Sequence, residues 1–209
     1  MTLRDDGKET RERLLNAACE VFAAKGYRDA TIAAICKSAG VNVALVNYYF
    51  GDKAGLYVEA WRYAFEKKCC GQNPLEMNGL SPEEQLHAYV LSMLEHFLDE
   101  GEQGQFTRLY LMELANPTGL IQDIWHGLIE PKRRSLIAIL CNLMGKREVD
   151  ETVLFCELSI INQCRSLLTI RREDLEYLLR QPLSKELVHR LAEHIARFSL
   201  AGIRAVSKE

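Results

Sequence analysis

TIAAICKSAGVNVALVNYYFGDK, Thr31 to Lys53, carries two short helical patterns parted by one glycine, and the rest of the chain is best understood from what that pair requires around it. Ile32, Ile35, Cys36 and Ala39 share one helical face after Thr31, a capping residue type, and Gly40 breaks the pattern. Beyond Val41, Asn42 is placed to cap a second short helix whose inward side holds Val46 and Phe50, four apart. Gly51 ends it, and Asp52 can cap a further helix.

Two short helices bury little surface alone and need a scaffold. On the N-terminal side Leu14, Leu15, Ala18, Val21 and Phe22 repeat at helical spacing, with Thr10 as a candidate cap and Gly26 after Lys25 where a left-handed residue closes a helix. On the C-terminal side Leu56, Tyr57, Ala60, Trp61 and Ala64 form the next apolar stripe. The spacing predicts a trihelical unit with a connecting helix. Two short helices joined at a tight glycine turn and packed on a longer one make a helix-turn-helix, whose second short helix is offered to a DNA major groove.

Composition neither supports nor opposes that reading. The 209 residues are 48% apolar and 26% charged, with five prolines, as in an ordinary folded chain. Net charge is −3, and residues 1–53 hold eight Lys and Arg against seven Asp and Glu, so bulk charge does not nominate nucleic acid and placement must carry the argument. No apolar run approaches the roughly 18 uncharged residues of a membrane span, and the first residues lack the apolar core of a signal peptide. A cytoplasmic protein with no membrane partner is expected. Seven cysteines occur without a CxxC, and in a reducing compartment they read as small hydrophobes or free thiols.

The remainder is helical by pattern. Ser81, Pro82 and Glu84 mark a capped start, followed by Leu86, Tyr89, Val90, Met93 and Phe97. QFTRLYLMELA ends before Asn116 and Pro117, and the segment from Leu120 to Gly145 is one helix or two, with Pro131 as the point of interruption. The last two long patterns, ETVLFCELSIINQCRSLLTI and KELVHRLAEHIARFSLAGIRAV, are apolar on more than one face and so call for more than one partner. Burial within one chain and a homodimer interface both satisfy them; their length and terminal position favour the interface. No segment alternates with period two. The expected fold is all-α, about nine to ten helices, with an N-terminal helix-turn-helix domain at 1–57 and a larger C-terminal helical bundle at 58–209.

Residue type then assigns tasks along the second short helix. Val46 and Phe50 are core. Asn47 offers an amide able to read a base edge or bond a phosphate, though a solvated helix asparagine looks the same. The Tyr48 and Tyr49 hydroxyls suit phosphate oxygens, or the rings pack within the domain. Val43, Ala44 and Leu45 lack hydrogen-bonding side chains and suit close approach to thymine methyls. Asn42 and Thr31 join helix starts that meet phosphates, and Lys53 adds charge at another. Lys8, Arg11 and Lys37 are further basic candidates. No arginine lies in this stretch, which predicts a reader less reliant on guanine.

The Phe22, Gly26, Tyr27 end of the first helix, Thr31, Ile35, the Ala39, Gly40, Val41 turn, Tyr49, Phe50 and Lys53 together resemble the DNA-binding domain of the TetR family of transcriptional regulators. NYYFGDKAGLY is similar to the CecR-like branch, as are FTRLYLMELANPTG and SIINQC further on. The sequence departs from common members at Asn42, Ala44, Leu45, Asn47 and Cys36, so no base specificity transfers from them. The resemblance implies a regulator, a repressor by family habit, bound to double-stranded operator DNA and released by a small-molecule effector. It implies an effector pocket among the C-terminal helices, for which Met93, Phe97, Phe106, Tyr110, Trp125, His126 and Cys164 are the candidate lining; each of them equally suits ordinary core. A hydrophobic or aromatic effector would match. No cofactor and no metal site is expected.

Other classes leave weaker traces. His189 and His194 are five apart and poorly aligned, no HExxH or phosphate-binding glycine loop occurs, and an enzyme is not expected. Cys69 and Cys70 at a domain junction leave a thiol or metal sensor open, and the near-neutral first domain leaves open a helical interaction protein.

Overall fold

A computed structural model describes residues 3–69, 79–98 and 104–207, and among these all regular structure is helical. The ten helices are α1 (Leu3–Asp29), α2 (Ile32–Ala39), α3 (Ala44–Phe50), α4 (Lys53–Cys69), α5 (Pro82–Leu98), α6 (Gly104–Ala115), α7 (Gln122–Met144), α8 (Glu151–Thr169), α9 (Arg172–Leu179) and α10 (Lys185–Val206). They divide into two compact units. One contains α1 to α4, α6 and the start of α7 through Leu128; the other contains α5, α7 from Ile129, α8, α9 and α10.

In the first unit α1 is the scaffold, packed against α2, α4 and α6. Leu14, Leu15, Ala18 and Phe22 from α1, Ile35 from α2, Val46 from α3 and Leu56, Tyr57 and Trp61 from α4 are buried, so the expected stripes do meet. α1 starts at Leu3, seven residues before the expected cap: Thr10 lies inside the helix, where it accepts from the Arg13 guanidinium at 3.3 Å. Gly26, at φ 72° and ψ 172°, kinks α1 in an extended conformation open to glycine, in place of the expected left-handed helical close. Phe50 is half-buried under the Arg11 guanidinium, 5.4 Å from the ring centroid, so the expected inner pair of α3 is one buried residue and one at its margin.

The second unit is a helical bundle in which α5 lies along α10 and α8. Its core runs through Leu86, Val90 and Leu94 of α5, Leu136, Ile139 and Leu140 of α7, Val153 and Ile160 of α8 and Val188, Ala192 and Ile195 of α10. The Ser81–Glu84 capping box forms as its sequence predicts: the Ser81 N–H donates to Glu84 Oε2 at 2.7 Å and the Glu84 N–H returns to Ser81 Oγ at 3.3 Å. α7 continues through Pro131 as one helix. α9 is too short to carry a strong apolar pattern; its signals are Glu173 and Asp174 in the first turn and Leu175 buried on the inner side. No single helix among the described residues is long and apolar enough to cross a membrane.

Candidate nucleic-acid interface

The turn between α2 and α3 is closed by backbone. Gly40, at φ 66° and ψ 37°, lets its own N–H and that of Val41 reach back to the Lys37 and Cys36 carbonyls at 3.4 and 3.0 Å. Thr31 Oγ1 accepts from the Ala34 N–H at 3.1 Å and caps α2, leaving its own hydroxyl hydrogen to donate outward. Asn42 Oδ1 accepts from the Ala44 N–H at 2.9 Å, so the expected cap forms through the first helical residue, with Val43 between. Asp52 Oδ1 accepts from the Gly55 N–H at 2.8 Å and starts α4.

These caps fix which way α3 faces. Asn42, Val43, Ala44, Asn47 and Tyr48 are exposed, Leu45 and Tyr49 are half-buried, and Val46 is buried. A tyrosine 79% exposed, as Tyr48 is, makes no contribution to the core and is available to a ligand surface. Its ring meets that of Tyr49 edge-on at 4.9 Å. The Tyr49 hydroxyl lies against the Gly7 backbone of α1, so Tyr49 also packs within the unit.

Lys53 Nζ donates to the Arg28 carbonyl at 3.3 Å and lies 4.6 Å from the Tyr27 ring centroid, which joins the end of α1 to the start of α4. Lys8 and Lys37 are exposed. Arg11 is not free: it pairs with Glu59 at 2.6 Å and holds α1 to α4.

The residues expected around an effector are divided between the two units. Tyr110, Trp125 and His126 line a cavity of about 600 Å3 in the first unit, with Glu113, Ile121 and Asp123. Phe106 packs behind it, edge-on to Trp61 at 5.2 Å. Met93 and Cys164 belong to the core of the second unit, where burial pushes the Cys164 thiol up to about 12. Phe97 lies within α5, but its side chain falls outside the described residues, as do the Cys69 side chain and Cys70.

Sequence reasoning missed Glu113. Its carboxylate takes the Tyr57 hydroxyl at 2.8 Å on one oxygen and the Thr118 N–H and hydroxyl at 2.8 and 2.9 Å on the other. Burial first, and Glu113 next to it, raise the Tyr57 pKa, so the phenol remains a donor. The available signal was a lone acid in an apolar helix five residues before a threonine in the loop Asn116–Gly119. Tyr57 is buried between Phe22 and Tyr27, at 4.8 and 4.9 Å between ring centroids. Beside it the Trp61 N–H is buried without a well-formed hydrogen bond among the described residues.

A capped helix-turn-helix with an exposed second helix, on a longer scaffold helix and followed by a separate helical bundle, is the architecture of a one-chain DNA-binding regulator. Residues 14–60 match the family of bacterial regulatory proteins called tetR, and residues 82–203 match the C-terminal domain of the HTH-type transcriptional dual regulator CecR. The chain belongs to the TetR family of DNA-binding transcriptional regulators and carries a C-terminal domain of the CecR type. Over 121 residues it is 31% identical to TtgW of Pseudomonas putida, an uncharacterised HTH-type transcriptional regulator, covering 56% of this chain and 84% of that one. It is equally identical to the HTH-type transcriptional regulator SrpR, also of Pseudomonas putida, covering 56% of this chain and 53% of SrpR. A transcriptional regulator from Rhodococcus sp. Rha1 shares the fold at a TM-score of 0.69 and 20% identity over 92% of this chain and 96% of that one. The TetR family regulator PfmR of Thermus thermophilus does so at 0.65 and 21% identity over 88% and 97%.

Proposed function

We propose that this regulator is a cytoplasmic homodimeric repressor that binds an inverted-repeat operator and leaves it when a small molecule occupies the cavity beside Glu113. The observation that carries the DNA-reading half is the exposed run Asn42, Val43, Ala44, Asn47 and Tyr48 over a fully capped turn. On this reading residues 1–57 read DNA and residues 58–209 sense and dimerise. Asn47 reads a base edge, Val43, Ala44 and Leu45 meet thymine methyls, and Thr31, Asn42, Tyr48, Tyr49 and Lys53 engage phosphates.

The homodimer is supported by the exposed faces of the last two long helices. Phe155 and Leu158 of α8 are 59% and 61% exposed and Phe198 of α10 is 65% exposed, an apolar strip that a second copy would cover. Release is supported by Glu113, which faces the cavity and holds Tyr57 of α4, while Tyr57 packs on Tyr27 and Tyr27 lies under Lys53. A ligand that prefers a rearranged Glu113 lowers DNA affinity by that preference and no more.

Fluorescence anisotropy on operator and scrambled duplexes tests the reading. Asn47→Ala should cost about 1–3 kcal/mol on operator and little on scrambled DNA. Lys53→Ala should weaken both and reduce the salt slope by about one. Equal loss from Asn47→Ala on the two duplexes removes its base-reading role.

A further inference from the structure

The cavity of the first unit has an unusual balance of charge for a site walled by aromatics. Glu113 and Asp123 both line it, and His126 is the one basic side chain among its described lining residues. Glu113 is held by neutral donors alone, Tyr57 and Thr118. Its charge is thus fixed in position by hydrogen bonds and has no ion-pair partner among the described residues. Beside it the half-buried Trp125 indole stacks on the Tyr110 ring at 5.2 Å between centroids and 5° between planes. Two carboxylates and a stacked pair of electron-rich rings all favour positive charge, the first by Coulomb attraction and the second through the ring quadrupole. A carboxylate or sulfonate ligand meets like charge there, and a neutral one gains no Coulomb attraction from either acid.

We propose that the cavity takes an organic cation, an aromatic or aliphatic ammonium of drug-like size, with Glu113 and Asp123 as its counter-charges. The cavity is open, bordered by the exposed Gln122, Asp123 and His126, and its volume of about 600 Å3 leaves room for such a molecule. This rests on the effector reading given above and sharpens it from a hydrophobic or aromatic molecule to a charged one.

Intrinsic fluorescence of the full chain, whose two tryptophans include Trp125, tests the inference with three probes: benzyltrimethylammonium, its uncharged carbon isostere neopentylbenzene, and benzenesulfonate. The cation should bind saturably and at least ten-fold more tightly than either of the others. Asp123→Asn, an exposed substitution that spares the fold, should weaken the cation at least three-fold and leave the isostere unchanged. Glu113→Gln should act in the same direction. Comparable affinity for the isostere or the sulfonate, no saturable binding of the cation, or indifference to Asp123→Asn overturns the inference. Operator affinity separates the two readings. A cation that binds without loosening DNA keeps the cation site and sinks the effector role, whereas a neutral probe that releases DNA keeps the effector role and sinks the cation site.

Discussion

Glu157 is 5% exposed on α8, and a carboxylate so buried is tolerated only where its charge is met. Arg133 of α7 meets it with two parallel bonds, Nε to Oε1 at 2.7 Å and an Nη to Oε2 at 3.0 Å. Arg133 is itself 39% exposed, so solvent screens part of the pair. Arg133→Ala should therefore lower unfolding free energy by an amount below the roughly 3–5 kcal/mol of a fully buried pair. Replacing both partners by methionine should recover most of that loss in urea titrations, and equal stability of Arg133→Ala and wild type would contradict the account. Residue type made the outer face of α3 legible in advance, because Asn47 and Tyr48 have side chains that nucleic acid can use. It could not reveal Glu113, whose meaning depends on Tyr57 and Thr118 being brought to it by the fold.

At the scale of elements, the caps were the most readable part of the chain. Thr31, Gly40, Asn42, Asp52 and the Ser81–Glu84 box act locally, within a few residues, so their sequence signal needs no tertiary information. The start of α1 at Leu3 and the half-buried state of Phe50 depend on what packs nearby, and pattern alone misjudged both. Gly55 shows a constraint of the same kind. It is the third residue of α4, and a methyl group there would overlap the Phe50 carbonyl oxygen at the end of α3. Backbone cannot yield as a side chain does, so Gly55→Ala should destabilise the first unit by about 1–3 kcal/mol and lower operator affinity by displacing α3. An unchanged melting temperature would show that the turn relaxes freely.

Acid should loosen helix starts in a defined direction. The Lys146 ammonium and then the Val153 N–H hold the Asp150 carboxyl below its ordinary range at the start of α8, and Ser81 does the same for Glu84 at the start of α5. Both groups are depressed in the folded state, so their stabilisation is present above the ordinary carboxylate range near 4 and is lost as pH falls through the lowered values. Asp150→Asn keeps a capping side chain and loses the titration. Its melting temperature should fall less steeply between pH 5 and pH 2, on the order of a few degrees at the acid end, than that of wild type. Parallel curves would place the acid response elsewhere.

For the whole molecule, an all-helical chain with a helix-turn-helix was legible because both signals recur along the sequence. The cavity was not, since its walls come from α6 and the start of α7 and its candidate residues were chosen by type alone. Tyr110, Trp125 and His126 converge there, while Met93 and Cys164 serve the other unit's core. In the proposed homodimer α3 reads an operator in duplicate, once per subunit. Selection of bound fragments from randomised duplex DNA by the purified protein tests it most directly. The account predicts an enriched inverted repeat, with half-sites about one helical turn or a multiple apart, whose preference is lost in Asn47→Ala. Failure to enrich any sequence, or enrichment unchanged by Asn47→Ala, would contradict it.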